Sequence, residues 1–531
     1  MSLKRAFALS KQELASECPP GTTGHHEHNE QHIHLQPEPS SDPADPLNFS
    51  MTRKTIILML MSGYALVTNI SSSVLSSALP NLVTAFATFS QHGPPVGIVP
   101  FSDLTHLIAV NNLMLGISNI LIVPLSNTFG RRPIILLCLA ILFASSIWCA
   151  EATSFHSLLA GRVIQGVGGA AADTLAPDVI GRTFFVHERG RVLALYTVCL
   201  TGGSLIGGVI GGYITASLGW QWTMWLSAIL SGAILVLSIF FLPETLYDRI
   251  YESNTTTMTP GQGDSRKEYG SVAHEERVEH HHRPYTFTRS LGFMAPRSGL
   301  LRRFIQPWTT VIFPGTIMVM LHYSGLVGLI VTISTLSPQL LAEPPYLWGE
   351  NVGLINVAGL IGCALGGLYT YFTADWIIKR GAKHASNGLT EPERRLPLMF
   401  PALFISTAGA LVYGFSAQYP APNRWAGLAA GYGMVAFGLM QVPSIGFNYI
   451  IESYGEWASD CFVIVVALRA VISFAWTFFI GSWTAKTGPS EPMGIFGLLM
   501  GLFSLTTIPV WLFGKRLRIA TASIVNRARL D

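Results

Sequence analysis

The chain has 531 residues, half of them hydrophobic and only 12% charged, with 33 Lys and Arg against 30 Asp and Glu for a net charge of +3. Soluble domains carry about 25% charged residues, and so small a net charge gives no electrostatic footprint for nucleic acid, which excludes a large soluble enzyme and a nucleic-acid binder. Six cysteines, none at metal or framework spacing, exclude a disulfide-rich secreted protein, and the mean hydropathy of +0.42 points to a polytopic membrane protein.

Residues 1–54, rich in Pro, His, Gln and Glu, read as a disordered cytoplasmic tail without a removable signal peptide. Its histidines (His25, His26, His28, His32, His34) and a second tract at His280 to His282 read as solvated spacer, with loose metal chelation as the alternative. No resident metal or cofactor is expected. Six apolar runs follow, at about 56–79, 104–125, 134–150, 157–180, 192–217 and 222–242, each near the ~20 residues a helix needs to cross the hydrocarbon core. They make an N-terminal six-helix bundle over 55–245. A polar cytoplasmic loop covers 246–303. Six more runs, at about 308–335, 352–374, 396–416, 425–450, 461–484 and 493–514, make a C-terminal bundle over 304–515, and 516–531 form a second cytoplasmic tail. Backbone amides cannot stay unpaired in lipid, and the runs lack the two-residue alternation of barrel strands, so the fold class is all-α.

With the amino terminus in the cytoplasm, nearly every Lys and Arg falls on the cytoplasmic side. Arg424 and Lys486 lie opposite, and Arg162 and Arg469 lie within spans. The asymmetry predicts twelve spans with both termini cytoplasmic.

The halves repeat. "PLSNTFGRRP" follows span 2 and "YFTADWIIKR" follows span 8; Asn127 precedes Arg131 and Arg132 by the spacing at which Asp375 precedes Lys379 and Arg380. Matching halves are the trace of a transporter with its cargo site near the midplane. In this context "FGRRP", the span-4 stretch "GRVIQGVGGA" with Arg162, Gln165 and Gly166, and the span-5 stretch "GGSLIGGVIGG" resemble motifs of the major facilitator superfamily. In the last of these Gly208 stands where Pro is usual. "DPADPLNFS", "FFVHERGR", "GWQW", "LPETLYDR", "DW" at Asp375–Trp376 and "EPERRL" resemble the fungal twelve-span drug:proton antiporter branch. The resemblance implies the major facilitator fold of two six-helix bundles, alternating access, and partners limited to a small-molecule substrate, protons and the lipid bilayer. It also implies that Gly130, Arg131 and Arg132, with Asp375, Lys379 and Arg380 in the repeat, form a conformational latch onto acids near span 11, where Glu452, Glu456 and Asp460 are available. Simple positive-inside anchoring is the alternative.

Arg162, Gln165, Gly166, Gly169 and Asp173 share one face of a 3.6-residue helix. An ionised group in hydrocarbon costs about 2.5–3.5 kcal/mol even on lenient scales, so this face looks into the bundle or a wet cavity. Asp173, with Arg162 beside it, is a candidate for proton coupling or for a bridge that never titrates. Gly203, Gly207 and Gly211 at i, i+4 spacing, with Gly208 and Gly212, predict close helix packing at the seam between bundles. His322 is a second proton-coupling candidate or a packing residue. Gln165, Tyr323, Phe437 and Arg469 are candidate cavity residues, with Trp308, Phe313, Phe474 and Trp476 as greasy lining. No GxxxxGK[ST] loop, nucleophile elbow or HExxH motif occurs, so neither an ATP-driven pump nor an enzyme is expected. The expected function is proton-coupled export of small, largely apolar organic compounds by a plasma-membrane monomer, with a vacuolar location second. Proton symport of a nutrient or polyamine into the cell is the alternative.

Overall fold

The computed structural model of the chain describes residues 42–86, 101–247, 300–384 and 389–527, with isolated positions before residue 25. The histidine tracts at 25–34 and 280–282 lie outside the described residues. Among the described residues eleven helices are long and apolar enough to cross a membrane. Before the central loop these are α1 (Met51–Val83), α2 (Asp103–Phe129), α3 (Arg131–Ala150), α5 (Glu188–Leu218) and α6 (Trp220–Phe241). After it come α7 (Pro314–Ala342), α8 (Gly349–Thr373), α9 (Pro392–Gln418), α10 (Trp425–Tyr454), α11 (Ala458–Thr487) and α12 (Ser490–Thr521). The expected fourth span is helical but different in kind. It forms α4 as two pieces, Phe155–Gly169 and Ala171–Thr183. Arg162, Asp173, Asp178 and Arg182 keep it too polar to match the others.

Ends differ from the sequence expectation where polar groups are satisfied locally. α1 starts at Met51 because the Ser50 hydroxyl accepts from the Arg53 amide, a helix N-cap. The seventh span begins at Pro314 rather than near 308. Residues Leu300–Thr309 form a separate amphipathic helix instead, and Pro314 opens α7 at the position where its missing N–H costs nothing. Trp308, expected as cavity lining, therefore sits on this connecting helix.

Apolar packing follows the two halves. One core joins Ile57, Met61, Leu139, Leu175 and Tyr196; another joins Leu326, Met399, Tyr432, Phe447 and Phe462. The halves meet along α2 with α11 and along α5 with α8. The Phe7 ring packs 5.6 Å from that of Phe513, on α12.

Ion pairs form inside each half. Gly130 joins α2 to α3 at φ 105°, where a Cβ would lie 2.6 Å from a Glu244 carboxylate oxygen. Glu244, from "LPETLYDR", accepts the Arg131 and Arg132 amides at 3.1 and 3.2 Å and so caps α3. The Arg131 side chain pairs with Asp178 of α4, which also takes Arg182 at 3.1 Å. In the second half Arg395 pairs with Glu452 at 2.9 Å, and Arg518 binds Glu393 at 2.7 Å and Glu391 at 2.5 Å. Burial opposes ionisation of Glu391, but hydrogen bonds from Lys515 and Arg518 hold its carboxyl below the usual range.

In this conformation Arg131 takes Asp178 of its own half, Glu452 is engaged by Arg395, and Asp460 accepts from Gln306 at 3.0 Å. The side chains of Glu456, Asp375, Lys379 and Arg380 lie outside the described residues.

Candidate cargo and proton site

The site starts from the break in α4. Glycines let neighbouring helices come close: a Cβ at Gly166 would lie 2.5 Å from the Asn111 carbonyl, and one at Gly168 2.4 Å from the Leu142 amide. The break at Ala170 leaves backbone carbonyls that buried tyrosines satisfy. Tyr64 of α1 donates to the Gly168 carbonyl at 2.6 Å, and Tyr196 of α5 to that of Ala172 at 2.8 Å.

Asp173 follows in the first turn of the second piece, where a helix N-terminus favours an anion. Its Oδ2 accepts from Nη2 of Arg469, on α11, at 2.5 Å. The pair spans 296 residues of sequence and joins the two halves. The Arg469 guanidinium lies 4.9 Å from the centre of the Tyr323 ring on α7, a cation–π contact. Both charged side chains are buried, at 2% and 8% exposure, and Asp173 Oδ1 and Arg469 Nε have no protein partner.

Arg162 does not pair with Asp173. It donates to the Ser71 and Ser72 carbonyls at 2.8 Å each, to Leu107 at 3.3 Å and to Gln165 Oε1 at 2.6 Å. Those carbonyls close the α1 segment Met51–Ser73, so the buried cation is met by a helix C-terminus rather than by a carboxylate.

A central cavity of about 60 Å³ lies against this pair. The first half supplies a mostly amide and hydroxyl wall: Asn69, Ser72 and Ser73 of α1, Asn112 of α2, Thr201 and Ser204 of α5. The second half supplies Val327, Ile330 and Val331 of α7 and Leu439 of α10, with Tyr323 and Ser334 of α7 and Arg469 and Ser473 of α11 as its polar marks. Drug-sized sites measure about 300–1,000 Å³, so the cavity in this conformation is too small for a drug-sized compound.

The other expected site residues lie elsewhere. His322 bonds the Phe503 carbonyl at 2.9 Å and Thr507 at 3.2 Å, between α7 and α12. Gln165 donates to Ser146 at 2.9 Å, and the Phe437 ring lies tilted against that of Tyr369, 5.7 Å between centres; neither lines the cavity. The span-5 glycines divide by face. A Cβ at Gly203, Gly207 or Gly211 would strike Leu66, Ser73 or Val74 of α1, whereas one at Gly208 or Gly212 would meet Asn356 or Gly353 of α8. Only the second pair therefore sits at the seam. The residues missed from sequence were Asn69, Ser72 and Asn112. Their signal was present: amides and hydroxyls inside apolar runs.

The Major Facilitator Superfamily family model matches residues 61–456. The chain belongs to the major facilitator superfamily. An MFS-type transporter of Schizosaccharomyces pombe is 26% identical, covering 94% of this chain and 91% of its own. The efflux pump radE of Floropilus chiversii is 22% identical, over 90% of this chain and 83% of its own. Among solved structures, the proton:xylose symporter XylE aligns with a TM-score of 0.57 at 16% identity, over 88% of this chain and 96% of its own. This major facilitator protein is thus an all-α, multi-pass membrane transporter, not an enzyme, and its cargo is a small molecule taken within the bilayer.

Proposed function

We propose that this transporter exports small, largely apolar organic compounds across the plasma membrane in exchange for protons, by alternating access of its two bundles, with both termini cytoplasmic. The observation that carries the reading is the buried Asp173–Arg469 pair, which joins the halves beside the cavity. When Asp173 is ionised the pair is neutral, and an uncharged compound can lie against Val327, Ile330 and Leu439 without facing a bare charge. When Asp173 takes a proton, the Arg469 guanidinium loses its counter-ion in a low-dielectric site and must be hydrated. Water entry then competes with apolar cargo. Proton and cargo exclude each other through the same two side chains, which is the coupling an exchanger needs.

Support from kinship is coarser: relatives include proteins named as efflux pumps and multidrug transporters. The test is transport in proteoliposomes under an imposed pH gradient. Asp173→Asn should remove the dependence of cargo movement on the gradient while cargo-for-cargo exchange persists. Full gradient dependence in that variant would take Asp173 out of the mechanism. Direction is read in cells: loss of the protein should raise retention of, and sensitivity to, toxic apolar compounds, whereas an importer would instead lose uptake.

A further inference from the structure

The amphipathic helix Leu300–Thr309 lies outside the cavity, yet it touches both halves. On one face, Arg303 donates to the Asn127 carbonyl near the end of α2, and Gln306 donates to Asp460 of α11 at 3.0 Å. Pro307 and Thr310 are buried on that side. The helix therefore crosses the α2–α11 seam at the end of the bundle where α2 ends and α11 begins. Its chain continues directly into α7, so it belongs covalently to the second half while holding a backbone group of the first.

The opposite face is a stripe at helical spacing: Leu301, Ile305, Trp308 and, just beyond, Ile312, exposed at 75, 58, 50 and 61%. These are large apolar side chains left exposed among the described residues. Beyond the turn at Phe313, Ile317 on α7 is also exposed. A tryptophan sits where the spanning helix begins, the level at which indole rings settle in bilayers. Such a helix lies in the plane of the interface with its apolar face in the acyl boundary.

We propose that this helix is a membrane-surface strap: the phospholipid leaflet holds its apolar stripe, and its polar face bolts the seam at that end shut. Opening the cavity toward that side requires α2 and α11 to separate, so either the Arg303–Asn127 or the Gln306–Asp460 contact must break. The leaflet keeps the strap flat and in register for both contacts at once. Weakening its grip on lipid frees the strap to follow one half, and the closed arrangement loses population. The claim is independent of what the cavity carries.

The test uses the full chain in nanodiscs of phosphatidylcholine, with Ser334→Cys as a cavity reporter for a water-soluble thiol reagent. Ile305→Asp and Leu301→Asp should raise reporter labelling by at least about fivefold, and hydrogen exchange over residues 300–309 should speed up. Gln306→Leu, which removes one bolt and leaves the lipid face intact, should raise labelling without changing the depth of a spin label at position 305. Ile305→Ala guards against misfolding and should give an intermediate effect. Unchanged labelling in the aspartate variants with native exchange over 300–309, or a spin label at position 305 that is freely accessible to aqueous relaxation agents, overturns the strap. Replacing a third of the lipid with phosphatidylserine separates the two lipid contributions: labelling that stays equal assigns the hold to the apolar stripe as stated, whereas labelling that depends on headgroup charge alone refutes it.

Discussion

At Asp173 and Arg469 two charges are removed from water and given to each other. Removing one partner of a buried pair leaves the other uncompensated, which costs roughly 3–5 kcal/mol, whereas removing both is far milder. Asp173→Asn and Arg469→Gln should therefore each lower the thermal midpoint in detergent, and the double variant should recover most of the loss. A double variant no more stable than the worse single one would mean that the two side chains act independently. Arg162 makes a useful contrast, since its charge is met by carbonyls at the end of an α1 segment. The sequence placed both arginines inside spans and singled out Asp173. It carried no mark that the partner lay on α11, because a contact between distant helices leaves no periodicity in either.

Individual helices were legible to within a few residues, because a run of ~20 apolar residues has one solution in lipid. The misses have physical causes. α4 carries four charged side chains, three of them buried, so its hydropathy falls while it still packs between α1 and α2. The connecting helix Leu300–Thr309 looked like the start of span 7 because its apolar stripe feeds into it. α5 shows how packing resolves a motif that reads as uniform. A Cβ at Gly211 would lie 2.1 Å from the Val74 carbonyl, inside the first half, while one at Gly212 would lie 3.2 Å from the Gly353 amide across the seam. Gly211→Ala should thus cost about 1–3 kcal/mol of stability by overpacking. Gly212→Ala should leave stability nearly unchanged and make the cavity reporter easier to label from the end opposite that where α2 ends and α11 begins. Equal destabilisation by both would show that the α5–α8 contact is as rigid as the α1–α5 contact.

For the whole molecule the question is which contacts move. Asp178, Arg131, Arg182 and Glu244 tie α3, α4 and the end of α6 to one another. Glu452, Arg395, Glu393 and Arg518 do the same for α9, α10 and α12. Each of these pairs joins helices of one half, so each stiffens a body that must move as a unit if bundles are to rock. Among the described residues the polar bonds across the seam include Asp173–Arg469, Tyr213–Asn351, Thr201–Cys363 and the strap. Arg131→Gln, which leaves Asp178 its bond to Arg182, should therefore lower thermal stability by about 1–3 kcal/mol. It should leave the balance between open and closed arrangements untouched. Paired spin labels on α2 and α11, read as a distance distribution with and without the substitution, distinguish the two roles. An unchanged distribution with a lower midpoint identifies Arg131 as a stiffener of one bundle. A distribution shifted toward wider separation at that end would support the view of Arg131 as a latch between bundles, and would require its carboxylate partner to change as the halves move.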